Sequence, residues 1–267
     1  MADPILVEKR DHVAFVTLNR PDIRNAFDDV LISSLAQVLK SVEEDESIRA
    51  LVLAGAGSAF CAGADLNWMK RMAGYTYEQN VADAQALADM LAALAHFPKP
   101  TIARVHGPAF AGGTGLVAAC DIAVGTPDAK FCFSEAKLGL SPATISPHVI
   151  RAIGERAARR YFLTAEVFDA AEAARIGLLT LLVEKNALDP TIDGLLEHLL
   201  AGGPQAHARI KELISAVSAK TLDRALAADT ARRIADIRVS PEGKEGITSF
   251  LEKRKPEWAT SGQAKKS

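Results

Sequence analysis

Residues 57–66 read Gly-Ser-Ala-Phe-Cys-Ala-Gly-Ala-Asp-Leu, and residues 108–116 read Pro-Ala-Phe-Ala-Gly-Gly-Thr-Gly-Leu. Each stretch follows a predicted strand and leads into a predicted helix. The first N–H groups of a helix have no partner inside the helix, and small side chains there let a ligand oxygen approach the backbone. Two such junctions that face each other would supply a pair of N–H donors for a developing oxyanion. The competing interpretation is tight packing of small residues where elements cross.

The elements around these stretches alternate between strand and helix up to about residue 140. The pattern predicts strands at 5–7, 13–18, 48–53, 101–105, 122–124 and 130–133, and helices at 29–44 and 78–97. The early strands come in pairs with one helix for each pair, whereas a doubly wound sheet has one helix for each strand. This rhythm predicts an α/β fold made of a coil of β-β-α turns.

Helical patterns dominate after residue 140. They cover residues 146–152, 155–163 and 170–176, and after one last strand at 178–183 they run from 188 to 253 with breaks at 202–204 and 240–241. We therefore divide the chain into a β-β-α core that carries the active site, residues 1–187, and a helical C-terminal region, residues 188–267. The apolar stripes of that region need a partner surface, so we expect them to pack against neighbouring subunits.

Composition excludes several classes of protein. The 267 residues are 49% hydrophobic, which excludes disorder throughout, and the net charge of −2 gives no footprint for nucleic acid or an anionic membrane. The longest low-polarity run, residues 107–120, is too short to span a bilayer. Three cysteines and an N-terminus without an apolar signal segment predict a cytoplasmic protein in a reducing compartment. No C-x-x-C or H-E-x-x-H motif occurs, so no metal site is predicted.

The second stretch also matches a dinucleotide-binding fingerprint. Gly113-x-Gly115-x-x-Ala118 fits G-x-G-x-x-A, and Glu135 lies 20 residues after Gly115, where a ribose-binding acid is expected. That motif belongs to a crossover unit with a helix of about ten residues or more. Here only about eight helical residues fit before the strand at 122–124. The sequence therefore argues against a Rossmann domain.

Glu135 is the candidate general acid and base. It follows the apolar strand at 130–133, where partial burial would raise its pKa toward neutrality. Phe131, Phe133 and Leu138 flank it and are expected to supply the apolar setting. The alternative is a solvated loop glutamate, since most glutamates are exposed.

Taken together, these residues resemble the crotonase superfamily of enoyl-CoA hydratases and isomerases. The resemblance covers nearly the whole chain, and it implies a crotonase-like β-β-α spiral core with a helical C-terminal region. It also implies trimers or pairs of trimers. The landmarks are Arg24-Asn-Ala26, residues 59–65, Gly112-Gly113, Cys120-Asp121, Glu135 with Leu138-Gly139, residues 170–178 and Phe250-Leu-Glu-Lys-Arg-Lys-Pro256.

The resemblance implies roles for particular residues. The backbone N–H groups of Ala62 and Gly112 would hold the thioester oxygen as an enolate forms, and Glu135 would be one of the two catalytic glutamates of the hydratases. The other would stand three residues after Gly112, where this chain has Gly115. CoA is part of the substrate, and no separate cofactor is expected. The CoA contacts would be Arg24, Ala26, the backbone around Ala64, Asp65 and Leu66, and, across a subunit boundary, Phe250 and Lys253.

Two longer stretches of sequence resemble one particular branch of this superfamily. Residues 65–72 and the run from 142 to 161 are similar to bacterial methylglutaconyl-CoA and isohexenylglutaconyl-CoA hydratases. Substrates of that branch carry a second, free carboxylate. We expect this carboxylate, or another polar side chain, to help hold water where Gly115 leaves room.

Four functions follow from these observations. The first is hydration of a 2-enoyl-CoA, with a glutaconyl-type acyl group preferred. The second is isomerisation, because a double-bond shift needs a single base and Glu135 could act alone. The third is an acyl-CoA-binding protein without catalysis. RNA binding, known for one eukaryotic relative, is disfavoured by the charge of −2 and the lack of a basic stripe.

Overall fold

The computed structural model describes residues 3–218 and 220–260, which form two β-sheets surrounded by helices. Residue 219 and residues 261–267 of the predicted C-terminal region lie outside this described part. The strands are Ile5–Arg10 (β1), Val13–Leu18 (β2), Ala50–Gly55 (β3), Thr101–Val105 (β4), Ala109–Phe110 (β5), Ile122–Gly125 (β6), Lys130–Cys132 (β7), Phe168–Asp169 (β8) and Leu181–Leu182 (β9). The α-helices are Asp29–Glu44 (α1), Leu66–Met72 (α2), Tyr77–Ala95 (α3), Gly112–Ala119 (α4), Ser146–Thr164 (α5), Ala170–Arg175 (α6), Leu188–Ala201 (α7), Pro204–Val217 (α8), Arg224–Val239 (α9), Pro241–Leu251 (α10) and Glu257–Thr260 (α11). Short 3-10 helices cover Pro21–Ile23, Ser134–Leu138 and Lys185–Ala187.

The larger sheet has the strand order β1-β2-β3-β4-β6-β9. β1 and β2 form an antiparallel hairpin, and the remaining neighbours are parallel. β3 and β4 are buried along nearly their whole length because helices cover both faces of the sheet. A strand that is buried on both faces needs apolar residues at every position, which explains why Ala50–Gly55 reads as a continuous apolar run.

The smaller sheet, with the order β5-β7-β8, supplies the second member of the strand pairs β4–β5 and β6–β7. β4 lies in the larger sheet and β5 in the smaller one, and β6 and β7 divide in the same way. Isolated bridges between Cys61 and Ala109 and between Phe27 and Ala64 extend the smaller layer to the earlier turns. The predicted coil of β-β-α turns is therefore confirmed, and its smaller layer carries both glycine-rich stretches.

The first helix after residue 188 belongs to the core. Leu188, Ile192 and Leu196 of α7 are buried against Val52 and Ile102 of the larger sheet. The expectation that the helices after 188 pack on neighbouring subunits is thus wrong for α7, because the second face of the sheet needs an apolar cover. The predicted boundary between 187 and 188 itself stays a prediction.

Two predicted elements differ from the structure. The strand predicted at 178–183 is only Leu181–Leu182, because the N–H groups of Leu178 and Leu179 donate to the carbonyl oxygen of Ala173 and close a turn. The helices predicted at 146–152 and 155–163 form one element, α5, with a kink at Gly154, whose φ of 74° lies outside the helical region. No helix among residues 3–218 and 220–260 is both long and apolar enough to cross a membrane.

Candidate active site

The two glycine-rich stretches lie side by side, as the sequence predicted. Cys61 pairs with Ala109 in a parallel bridge, and the N–H of Phe110 donates to the carbonyl oxygen of Cys61 at 2.9 Å. A Cβ atom on Gly113 would lie 2.8 Å from the Cβ of Cys61, so the approach requires glycine there. The loop after β3 and the start of α4 therefore form one continuous surface.

A third loop, residues 24–27, is held against the same surface. The side chain of Asn25 is fully buried, and its amide donates to the carbonyl oxygens of Ala56 and Ala59 at 2.9 Å each. The N–H of Phe27 donates to Gly63 at 2.6 Å. Asn25 thus fixes the loops that hold the candidate N–H donors, a positioning role that the sequence did not reveal.

Ala62 is not a free N–H donor. Its N–H donates to the carbonyl oxygen of Arg24 at 2.9 Å, so the expectation that it holds a thioester oxygen is wrong. Gly63 has a positive φ of 91°, which turns the chain before the next residue. Ala64 pairs with Phe27, but the bridge uses the carbonyl of Gly63 and the N–H of Asp65. Within the described residues, the N–H of Ala64 has no acceptor, which makes it the candidate donor in this loop.

Gly112 supplies the second unpaired N–H. It is the first residue of α4, so its N–H has no acceptor within the helix. Ala111 before it holds φ 46° and ψ −116°, a strained conformation for a residue with a side chain. A Cβ atom on Gly112 would lie 2.9 Å from ring atoms of Phe27, the residue that pairs with Ala64. Phe27 therefore adjoins both residues whose N–H groups are unpaired.

Glu135 leaves the smaller sheet at the same edge as Gly112. β5 and β7 are parallel, with Ala109 opposite Phe131 and Phe110 opposite Cys132. Gly112 follows β5 by two residues and Glu135 follows β7 by three, so both lie beyond the carboxyl ends of adjacent strands. The topology thus brings the predicted acid next to the predicted oxyanion donor.

The environment of Glu135 suits proton transfer. Burial raises the pKa of its carboxyl group, against a smaller opposing effect of a hydrogen bond to its own backbone. Its Oε2 atom is buried without a hydrogen-bond partner. Phe131 and Phe133 are fully buried, as expected, whereas Leu138 is 56% exposed and does not contribute to the apolar setting. This carboxyl oxygen therefore has no protein group that competes for its hydrogen bonds.

The space beside Gly115 is filled. A Cβ atom there would lie 2.9 Å from the Cβ of Ile145 and closer still to its Cγ2, and Leu91 borders the same space. Ile145 and Leu91 are both buried. The expectation that Gly115 leaves room for a water or a substrate carboxylate is therefore wrong.

The predicted CoA contacts divide into two groups. Arg24, Ala26, Ala64, Asp65 and Leu66 come together, because the loop at 24–27 pairs with residues 62–65. The Arg24 side chain and Leu66 are exposed beside the site, whereas the Asp65 carboxylate accepts from the N–H groups at the start of α2 and serves as its cap. Both of these N–H groups donate to Oδ1, so the Asp65 side chain has a structural role at the start of α2.

The other group, Phe250 and Lys253, lies apart. α10 packs against α8 and α9. No hydrogen bond or ion pair in the described part of the chain connects α10 to residues 24–27 or 62–66. Phe250 is 81% exposed and Lys253 is also exposed. Within one subunit these two residues are not part of the site.

Other chemistries find little support in the described residues. Burial raises the pKa of the Cys61 thiol to about 12, so it is not a thiolate nucleophile at neutral pH. No group of three His, Cys, Asp or Glu side chains within 3–218 and 220–260 could hold a metal ion. The dinucleotide alternative also fails, because α4 has eight residues and leads into β6 of the larger sheet, not directly into β7, the strand before Glu135.

The fold, with two unpaired N–H groups and a half-buried glutamate that follows the strand next to β5, is that of the crotonase class. A crystal structure of an enoyl-CoA hydratase from Shewanella pealeana superimposes with a TM-score of 0.94 and 45% identity, covering 96% of each chain. The family model described as enoyl-CoA hydratase/isomerase matches residues 8–261, and the chain belongs to this family.

Two curated relatives show the range of activities in the family. The enoyl-CoA hydratase EchA19 of Mycobacterium tuberculosis is 35% identical, over 94% of this chain and 94% of its own length. The 1,2-epoxyphenylacetyl-CoA isomerase of Escherichia coli is 33% identical, over 97% of this chain and 99% of its own. Family membership therefore leaves hydration and isomerisation to be distinguished by the site.

Proposed function

We propose that this protein is an enoyl-CoA hydratase that adds water to a 2-enoyl-CoA thioester. The N–H groups of Ala64 and Gly112 bind the thioester oxygen. Glu135 takes a proton from water as the water oxygen bonds to C3, and the C2–C3 π electrons move to form an enolate. Protonated Glu135 then returns a proton to C2. Oxygen and both hydrogens of the water are thus accounted for in the 3-hydroxyacyl product.

The observation that carries this proposal is the position of Glu135 relative to Gly112. The two residues follow adjacent parallel strands, and the Oε2 of Glu135 is buried without a partner. A raised pKa suits a carboxyl group that must both accept and return a proton near neutral pH. Relatives named as hydratases support the same reaction.

A glutaconyl-type acyl group is the finer proposal for the substrate. It is supported by the strings at 65–72 and 142–161. Because Ile145 fills the space beside Gly115, the free carboxylate of such a substrate must lie farther along the acyl chain. The test is turnover of a panel of 2-enoyl-CoA thioesters that differ only in a distal carboxylate. Faster hydration of the carboxylated members supports the acyl group, and turnover of none of the panel contradicts the hydratase proposal.

Isomerisation is the second candidate, and the single carboxylate favours it. A double-bond shift needs one base that moves a proton between C4 and C2, and Glu135 is such a base. The Escherichia coli relative is named as an isomerase. Assays of a 2-enoyl-CoA and of its 3-enoyl isomer on the same preparation separate the two reactions. If the protein binds both thioesters without converting either, the non-catalytic alternative replaces both.

We further propose that the protein acts as a trimer or a pair of trimers in the cytoplasm. The exposed apolar side chains of the C-terminal helices support assembly with further copies of this chain, and the three unpaired cysteines support a reducing compartment. Light scattering that gives a folded monomer at micromolar concentration would contradict the assembly. Within the proposed assembly, Phe250 and Lys253 would reach CoA from a neighbouring subunit. The exposed apolar residues are Ile210, Ile214, Ile234, Val239, Ile247, Phe250 and Leu251.

A further inference from the structure

Ile145 occupies the space into which any side chain at residue 115 would project. Gly115 lies on α4, three residues after Gly112, whose N–H is unpaired. The Cγ2 and Cβ of Ile145 fill the position next to the Cα of Gly115, and Leu91 of α3 closes it on the other side. Residues three apart on a helix share a face and differ by about 4.5 Å along its axis. An apolar group therefore stands about one helical turn from a candidate oxyanion donor.

The backbone holds Ile145 in this place. The N–H groups of His148 and Val149 both donate to its carbonyl oxygen at 3.1 Å, at the start of α5. Its side chain is 2% exposed, and Pro142 before it is buried. The chain between Glu135 and α5 thus ends at Ile145, whose side chain is held against Gly115 of α4.

Ile145 and Leu91 belong to the hydrophobic core, so the surroundings that Gly115 faces on this side of α4 are apolar. Ile145 and Leu91 offer no hydrogen-bond donor or acceptor, so a water or a carboxylate held between them would lose its hydration without compensation. Glu135 then meets the substrate without a second carboxyl group at residue 115. Alkyl groups, in contrast, gain favourable contacts beside these side chains.

We infer that Ile145 is a specificity-determining residue. It closes the α4 side of the site to water and to a second carboxylate, and it selects thioesters whose acyl group is apolar at the carbons nearest the carbonyl. The inference rests on the proposed function, because it assumes that the acyl group lies between Glu135 and the N–H groups of Ala64 and Gly112. Gly115 and Ile145 are thus complementary in size: a larger side chain at residue 115 fits only if residue 145 becomes smaller.

The test uses Gly115→Glu, Ile145→Ala and the double variant in the full-length protein. Hydration of but-2-enoyl-CoA and isomerisation of a 3-enoyl-CoA are measured on each, together with the melting temperature. Gly115→Glu alone should lower the melting temperature by at least about 5 °C, because the carboxylate is forced against Ile145. The double variant should regain at least half of that loss. Its ratio of hydration to isomerisation should exceed that of the wild type by at least about tenfold.

Two further variants control for loss of packing. Ile145→Val removes one methyl group. Its ratio of hydration to isomerisation should lie between that of the wild type and that of Ile145→Ala. Ile153→Ala removes an equally apolar side chain from α5, the helix that follows Ile145, and should leave the ratio unchanged. A double variant that folds and binds acyl-CoA but keeps the wild-type ratio would overturn the inference. So would Gly115→Glu with an unchanged melting temperature.

Failure of the proposed function is distinguishable from failure of this inference. If the wild type converts neither thioester, the proposed function fails. The role of Ile145 is then tested by the affinities for two saturated thioesters, 3-hydroxybutyryl-CoA and butyryl-CoA. Ile145→Ala should then bind 3-hydroxybutyryl-CoA more tightly relative to butyryl-CoA than the wild type does, by about tenfold. An unchanged ratio of the two affinities would overturn the role of Ile145 without reference to turnover.

Discussion

The backbone N–H of Ala62 donates to the carbonyl oxygen of Arg24 at 2.9 Å. This bond ties the loop before α1 to the loop before α2, and it removes Ala62 from the groups that a substrate can reach. The positive φ of Gly63 then turns the chain, so that the next free N–H belongs to Ala64. One hydrogen bond therefore decides which of the two alanines has an N–H group free to bind a ligand.

Replacing the two alanines with proline should separate these roles, because proline has no N–H. Ala64→Pro should lower kcat by about 10² to 10³, the usual effect of losing one oxyanion donor. Ala62→Pro should instead lower the free energy of unfolding by about 1 kcal/mol, the value of one backbone hydrogen bond, and affect kcat less. Steady-state kinetics and thermal unfolding of both variants check this. The assignment is wrong if Ala62→Pro loses turnover while Ala64→Pro keeps it.

The strain at Ala111 predicts a stabilising substitution. Ala111 has φ 46° and ψ −116°, a region that glycine enters without steric cost. Ala111→Gly should raise the free energy of unfolding by about 1 kcal/mol, since the relief of strain exceeds the added entropy of the unfolded chain. Chemical denaturation measures the change. Ala118→Gly, in the last turn of α4, is the matched control and should destabilise, because Ala118 has a helical backbone conformation. A loss of stability in Ala111→Gly would show that the residue is not strained.

Arg24 and Lys253 should each strengthen binding of acyl-CoA. Both are exposed cations that the family resemblance sets beside the CoA phosphates. Arg24→Ala and Lys253→Ala should each weaken binding by about 1 to 2 kcal/mol, measured by calorimetry with a saturated acyl-CoA. Lys40→Ala, which removes an exposed charge from α1, is the control. If neither variant changes the affinity, the placement of CoA is incorrect.

Glu135 should make stability depend on pH in a defined direction. Because burial raises its pKa in the folded protein, the neutral form is favoured by folding. Its contribution is fully present below the pKa of an unfolded glutamate and is lost as pH rises through the higher folded value. Above that value Glu135→Gln should therefore be more stable than the wild type, and the difference should vanish in acid. Denaturation of both proteins across this pH range checks the sign, and a variant that is less stable at alkaline pH would contradict it.

Hydrophobic periodicity predicts the regular elements well. The bounds of α1, β2 and β4 match those expected from the pattern, because the buried residues of α1 follow the helical repeat and β2 and β4 are short, largely buried apolar runs. The break between α8 and α9 was not predicted, although Asp223 caps α9 by accepting from the N–H of Leu226. An aspartate just before an apolar helical repeat is a signal that would have indicated this start.

The details of the site depend on information that the sequence pattern lacks. The direction of the N–H of Ala64 follows from the backbone angle at Gly63, which spacing alone does not specify. The contact of Ile145 with Gly115 joins residues 30 positions apart and depends on how α5 packs on α4. Glu135 was predicted because an acid directly after an apolar strand is a local signal. Local signals thus located the acid, and tertiary packing determined what surrounds it.

The central claim is that Glu135 transfers the proton, and kcat of Glu135→Gln at saturating 2-enoyl-CoA tests it most directly. Glutamine keeps the shape of the side chain and removes its titration. The account predicts that kcat falls by at least about 10², while the affinity for a saturated acyl-CoA stays within about threefold of the wild type. A folded Glu135→Gln protein with near-normal kcat would contradict the hydratase and the isomerase mechanisms together.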